Sequence, residues 1–109
     1  MAFLHIISAN RPEETVELAK LRTTVGRSAR SDVCIPDAFA SRLHAEIRRE
    51  NDVYWLHDLG SANGTRYNGN VLSGSVPLVT GGAIQIGETT LRFEDDNSSP
   101  DFSSTYLIA

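Results

Sequence analysis

The sequence predicts an all-β fold, a two-sheet antiparallel β-sandwich, and three observations carry that prediction. Short runs with period-two alternation of apolar and polar residues recur along the chain. No long stretch has the 3.6-residue period of an amphipathic helix. Turn-forming residues separate the runs. Each run is too short and too one-sided to stand alone, so two sheets packed face to face are the economical way to bury them.

Taken in order, strands are expected near 2–8, 14–20, 22–27, 32–36, 44–50, 53–59, 65–68, 76–79, 83–87 and 89–95. Glu13-Glu14-Thr15-Val16 has the look of a helix start, but its neighbours favour a strand. Ala45 and Ile47 point to a strand entering the core after His44. Within 53–59, Val53, Trp55, His57 and Leu59 would share one face. Ile84 and Ile86 do the same in 83–87, and Leu91 and Phe93 in 89–95. Asn63-Gly64 and Asn68-Gly69 both tolerate the positive φ of tight hairpins, and Gly81-Gly82 separates two further strands.

The chain has 109 residues, the size of one domain. Its net charge of −4 is unevenly placed. Residues 1–93 hold all ten basic residues and ten of the fourteen acids, so the excess belongs to Glu94, Asp95, Asp96 and Asp101. From there the composition turns to Asp, Asn, Ser and Pro, which divides the chain into a domain over 1–95 and a flexible acidic, Ser-rich tail or linker over 96–109. Residues 1–93, neutral overall, lack the basic field of a nucleic-acid binder. No apolar run approaches a membrane span, and no basic segment precedes a long apolar run at the N-terminus. The single cysteine, Cys34, has no internal partner, so a reducing, cytoplasmic setting is expected. Cys34 falls within a strand and is expected to be buried and inert. Arg48-Arg49 is expected on a solvated strand edge.

Three polar loops carry the chemistry: Gly26 to Ser31, Phe39 to His44, and Gly60 to Thr65. Together they offer guanidinium groups, hydroxyls, a side-chain amide and loop N–H groups, the donors that a dianionic phosphate ester requires. Up-down alternation places the second and third loops at one end and Arg27 at the other. A strand over 32–36 spans only about 17 Å, however, and the seven residues 37–43 can return about 24 Å, so convergence is sterically allowed. Competing signals fail. His5, His44, His57 and Cys34 lack metal-ligand spacing, so no metal or cofactor is expected. Gly82 to Gly87 has phosphate-loop glycine spacing, but Glu88 stands where lysine is required. No nucleophile–base pair marks an enzyme.

The residues nevertheless match a known pattern. Val25-Gly26-Arg27, Ser31-Asp32-Val33-Cys34-Ile35, Ser41-Arg42-Leu43-His44-Ala45, Asp58-Leu59-Gly60-Ser61-Ala62-Asn63-Gly64-Thr65, Asn68-Gly69 and Ile84-Gln85-Ile86-Gly87 together resemble the forkhead-associated (FHA) domain over about residues 3–94. The resemblance implies a SMAD/FHA-like sandwich with polar binding loops at one end, and a phosphothreonine-dependent peptide-binding module acting as an adaptor or regulatory domain in Ser/Thr-kinase signalling. Arg27 then corresponds to the phosphate-clamping arginine, Ser41 to the hydroxyl that donates to the phosphate, and Arg42 to a second basic contact. Asn63 corresponds to the amide that grips the bound peptide's backbone. Ala62 stands where relatives often carry a polar side chain, and offers only its N–H. Phe39, two residues before Ser41, corresponds to the position that helps select the third residue after the phosphothreonine, here expected to be apolar. His44 corresponds to a buried brace, Gly26 and Gly64 to turn glycines, and Thr65 to structural support. Asn68-Gly69 is read only as a turn.

The expected partner is therefore a Thr-phosphorylated protein or peptide, with neither nucleic acid nor membrane. Two alternatives stand beside this reading: a phosphate-independent scaffold or oligomerisation domain, and the N-terminal regulatory domain of a larger enzyme. The tail also holds Thr105 with Ile108 three residues on, an apolar match to Phe39, which would make phosphorylated Thr105 a ligand for the same domain in trans.

Overall fold

The structure, a computed structural model, describes residues 1–96; the tail from 97 onward, and with it Thr105 and Ile108, lies outside the described residues. The described chain forms eleven strands: β1 (Ala2–Ile7), β2 (Glu14–Glu17), β3 (Arg22–Gly26), β4 (Val33–Cys34), β5 (Ala45–Glu50), β6 (Val53–Asp58), β7 (Arg66–Tyr67), β8 (Asn70–Val71), β9 (Ser75–Pro77), β10 (Ala83–Ile86) and β11 (Thr89–Asp95). They make a six-stranded sheet in the order β2-β1-β11-β10-β7-β8 and a five-stranded sheet in the order β4-β3-β5-β6-β9. The predicted sandwich is present, with ten expected strands found and a short eleventh, β8, added.

Alternation supplies the core. Leu4 and Ile6 of β1, Ile84 and Ile86 of β10, and Leu91 and Phe93 of β11 are buried from one sheet, and Val25, Ala45, Ile47, Tyr54 and Leu56 from the other. Tyr54 and Phe93 meet between the sheets with ring centroids 5.5 Å apart and planes tilted by 54°, an arrangement that favours edge over face contact. In β6 the inward residues are Tyr54 and Leu56, while Val53, Trp55, His57 and Leu59 share the outer face. Both faces of this strand are apolar in sequence. The register decides between them, because Leu56 pairs with buried Ile47 and Trp55 with exposed Arg48.

Three expectations change. Arg48 and Arg49 lie on β5, the central strand of its sheet, not on an edge. Their side chains face solvent and pair with Glu46 and Asp52. Cys34 is exposed rather than buried, because β4 is an edge strand of only two residues and Val33 takes the inward position. Asn63-Gly64 is not a hairpin turn. It links β6 and β7, which belong to different sheets. Of the two Asn-Gly pairs, Asn68-Gly69 alone closes a hairpin, β7 to β8, with φ of 51° and 87°.

One topological feature places the loops. β3 and β4 pair in parallel, unlike the neighbours around them, with Val25 opposite Val33 and Gly26 opposite Cys34. Residues 27–32 therefore double back, and β4 ends at the same end of the sheet as β3. Residues 35–44 stay at that end, and the β5–β6 hairpin returns the chain to it at Asp58. Simple up-down alternation, which separates Arg27 from the other loops, does not hold.

Candidate functional site

Arg27 leaves β3 with its N–H donating to the Ser41 carbonyl at 3.0 Å, and its Nε donating to the Ala40 carbonyl at 3.0 Å. The side chain is thus held at its root. Its two terminal nitrogens have no hydrogen-bond partner among the described residues. Ser28 N–H donates to the Arg42 carbonyl, as does the Ser31 hydroxyl. This close seam explains Gly26. A Cβ there would lie 2.1 Å from the Arg42 carbonyl oxygen, so Gly26 is required by backbone approach and not, as expected, by a turn.

His44 is fully buried and joins the second and third loops. Its Nδ1 accepts the Ser41 N–H at 2.9 Å, so the ring proton sits on Nε2 and is donated to the Gly64 carbonyl at 2.9 Å. With both nitrogens occupied by backbone, the ring cannot serve Ser41 as a base. The Ser41 oxygen accepts the Ala62 N–H at 3.0 Å, which leaves the hydroxyl proton free to donate. Ala62 thus acts through Ser41, its one backbone donor already engaged.

Asn63 ties the third loop to the second by donating its amide nitrogen to the Phe39 carbonyl at 2.8 Å. Its side-chain oxygen and second amide hydrogen remain for a ligand. Gly64 adopts a φ of 83°, the left-handed conformation expected of a turn glycine. Thr65 is buried and donates its hydroxyl to Asp58 at 2.7 Å. Arg42 and Phe39 are both solvent-exposed beside this cluster. Arg27, Ser41, Arg42, Ala62 and Asn63 therefore come together at one end of the sandwich, on loops that brace one another.

Three carboxylates do the bracing, and the sequence reading passed over their roles. Asp58 accepts the N–H groups of Gly60 and Ser61 on one oxygen, and the hydroxyls of Ser61 and Thr65 on the other. Asp37 accepts the Phe39 N–H on one oxygen, and the Glu88 N–H and Thr89 hydroxyl on the other, pinning the second loop to the β10–β11 hairpin. Burial alone would raise both carboxyl pKa values, but these donors outweigh it and hold both below the ordinary value. Asp32 bonds Lys20 and the Thr24 N–H, and the lysine hydrogen bond first, then the backbone donor, bring its pKa down to about 2. The signal for Asp58 was present as Asp-x-Gly-Ser, an Asx-turn pattern. Asp37 lies 51 and 52 positions from its partners in the hairpin, and nothing local reveals that contact.

The charges sort by position. Lys20, Arg22, Arg48 and Arg49 stand in ion pairs. Among the described residues, Arg11, Arg27, Arg30, Arg42, Arg66 and Arg92 stand in none, and Arg92 lies away from the loops, mid-strand on β11. Arg27, Arg30 and Arg42 lie in the braced loops, Arg66 just beyond the third, and Arg11 after β1. With Arg27, Arg30 and Arg42 in no ion pair, this end presents free guanidinium groups around a free hydroxyl and an amide. That set suits a phosphate ester attached to a peptide.

Comparison with known proteins agrees with the architecture. A sequence model of the FHA domain matches residues 23–87. The oxoglutarate dehydrogenase inhibitor of Corynebacterium jeikeium is 45% identical over 71 residues, covering 65% of this chain and 49% of that protein. The chain spans about half the length of the curated relatives it matches. Among solved structures, the FhaA FHA domain complexed with the intracellular domain of Rv3910 aligns with a TM-score of 0.78 at 28% identity, over 86% of this chain and all of that one. Mycobacterium tuberculosis EmbR in complex with a low-affinity phosphopeptide aligns at 0.74 and 29% identity, over 85% of this chain and 24% of that one. The motif-bearing loops, the sandwich that gathers them and the family match over 23–87 lead to one assignment: the chain belongs to the FHA domain family.

Proposed function

We propose that this chain is a phosphothreonine-dependent peptide-binding module, acting as a regulatory or adaptor domain that captures a protein phosphorylated by a Ser/Thr kinase. The observation that carries the reading is the braced cluster of Arg27, Ser41 and Asn63, whose remaining donors share one end of the fold. Arg27 and Ser41 would hold the phosphate, with Arg42 adding charge, and Asn63 would hold the peptide backbone. Preformed donors of this kind contribute roughly 1.5–3 kcal/mol per charge-assisted hydrogen bond. Binding is favoured over catalysis because the only buried histidine beside Ser41 has both ring nitrogens occupied. The phosphopeptide carried by the structural neighbour EmbR supports the same ligand class.

Titration calorimetry with one peptide, phosphorylated on threonine or not, tests the reading. Only the phosphorylated form should bind. Arg27→Ala should lose at least about 2 kcal/mol of affinity with the fold intact. Asn63→Ala should weaken binding, whereas Asn68→Ala should not, although both residues precede glycine. Equal binding of the two peptides, or unchanged affinity in Arg27→Ala, would refute the proposal.

A further inference from the structure

The phosphothreonine reading uses Arg27 and Arg42 and leaves Arg30 without a task. Arg30 is exposed, and its side chain stands in no ion pair or hydrogen bond among the described residues. Its backbone, by contrast, is fixed. Ser31 N–H donates to the Ser28 carbonyl at 3.0 Å, and Arg30 N–H to the Ser28 hydroxyl at 3.1 Å, so residues 28–31 form a closed turn. Both ends of that turn are fastened to the second loop. The Ser28 N–H and the Ser31 hydroxyl donate to one and the same Arg42 carbonyl, at 3.1 and 3.2 Å. Arg30 thus stands at the tip of a short turn held against the backbone of Arg42.

The second loop runs between two anchors. At Phe39 it is tied to the third loop through Asn63, and at Arg42 it is tied to the first loop. The proposed phosphate donors, Arg27 and Ser41, lie between these anchors, joined by the bond from Arg27 N–H to the Ser41 carbonyl. Arg30 therefore lies on the flank of the phosphate site away from Asn63. That flank is basic. Asp32 is the acid of the first loop; one of its oxygens takes Lys20 at 2.6 Å and the other takes the Thr24 N–H and hydroxyl. Arg27, Arg30, Arg42 and Lys20 stand against Asp32 alone. Asp37 and Asp58 carry their charge on the other flank, where they bond Phe39 with the β10–β11 hairpin, and the third loop. A phosphothreonine brings about −1.5 to −2 charges near neutral pH. Arg27 and Arg42 offset that, Lys20 and Asp32 offset each other, and the charge of Arg30 remains.

We infer that Arg30 reads a second anionic group of the partner, a carboxylate or a further phosphate, on the flank of the phosphothreonine that lies away from Asn63; the inference rests on the phosphothreonine reading. The planar guanidinium suits either group. The 28–31 turn spans under about 7 Å, and an extended peptide advances about 3.3 Å per residue. The second group therefore lies within about three residues of the phosphothreonine. Arg30 is a specificity-determining residue, adding discrimination more than affinity because it is exposed.

The test uses phosphothreonine peptides with glutamine in the three positions on each side of the phosphothreonine. In one variant the preceding three become Glu, and in another the following three. They are titrated at low salt into the full chain and into Arg30→Gln, Arg30→Lys and Asn63→Ala. One of the two Glu peptides should bind the unaltered chain about threefold tighter than the Gln peptide, in line with an exposed ion pair. Arg30→Gln should abolish that ratio and Arg30→Lys should keep most of it. Asn63→Ala should weaken every peptide and leave the ratio unchanged, because Asn63 lies on the other flank. A phosphoserine on the favoured flank then separates the two sources. A gain above that of Glu, lost in Arg30→Gln, assigns a second phosphate, and a gain no larger assigns a carboxylate. A ratio that survives in Arg30→Gln, a gain on both flanks alike, or a gain on neither would overturn the inference and leave the phosphothreonine reading standing. Equal binding of peptides without phosphate on the threonine would overturn both.

Discussion

At the scale of single residues, His44 shows how one buried side chain organises a surface site. It satisfies one donor, the Ser41 N–H, and one acceptor, the Gly64 carbonyl, on two different loops. Removing it leaves a cavity and two part-buried backbone groups without partners, each of which costs free energy. His44→Ala should therefore lower stability by about 3 kcal/mol and weaken phosphopeptide binding in step with the loss of loop order. Thermal melts and calorimetry on the same sample check this. A His44→Ala protein with an unchanged melting temperature and no binding would make the ring a ligand contact instead. Asn63 carries a double duty of the same kind. One amide hydrogen is committed to the Phe39 carbonyl, so its loss would disturb the second loop as well as remove a proposed contact. Gly26 was legible as a necessary glycine, but its reason was not, because the Arg42 carbonyl that excludes a side chain comes from a loop sixteen residues on.

At the scale of elements, the loops are short-range folds in their own right, each closed by a carboxylate. Asp32 closes the first against β3, Asp37 the second against the β10–β11 hairpin, and Asp58 the third against itself. All three have pKa values below the ordinary carboxyl value in the folded state. A group whose folded pKa is depressed contributes stability that is present above its unfolded pKa and is lost as pH falls through its folded pKa. For Asp32 that window runs from 3.8 down to about 2. Its partial exposure limits the contribution to about 1 kcal/mol. Denaturant melts of Asp32→Asn should be less stable than the unaltered chain by that amount at pH 5, and the difference should close by about pH 2. A difference that persists at pH 2 would mean that the aspartate acts through packing rather than charge.

At the scale of the whole molecule, two sheets of six and five strands bury a common core and leave every braced loop at one end. No helix among the described residues is long and apolar enough to cross a membrane. Two of the late acids, Glu94 and Asp95, lie within β11, and Arg27, Arg30 and Arg42, which stand in no ion pair, lie in the loops at the binding end. β11 ends at Asp95, and the Asp96 N–H still donates to the Met1 carbonyl at 2.9 Å, closing the first strand onto the last. We propose that the folding unit ends there. A chain stopped after Asp96 should melt within about 2 °C of the full chain, since the last strand is already closed onto the first at that point, and should bind the same phosphopeptide. A large drop in melting temperature would place part of the tail in the core.

The sequence by itself determined the class of fold and the strand positions to within a few residues, and its family resemblance nominated the residues of the candidate site. These are properties of period-two alternation, turn chemistry and local motif spacing, which act over a few residues and can be read in one dimension. It did not determine which face of β6 turns inward, since Tyr54 and Leu56 compete with equally apolar neighbours and only the register with Ile47 decides. Nor did it determine that Cys34 is exposed, that Arg48 and Arg49 sit mid-sheet, or that Asp37 locks Phe39 to Glu88. Above all, the convergence of Arg27 with Ser41 depends on one parallel pairing, β3 with β4, where alternation predicts the opposite. Strand order and direction come from how two sheets share one core. That is a balance of contacts between residues far apart in the chain, and only the tertiary structure settles it.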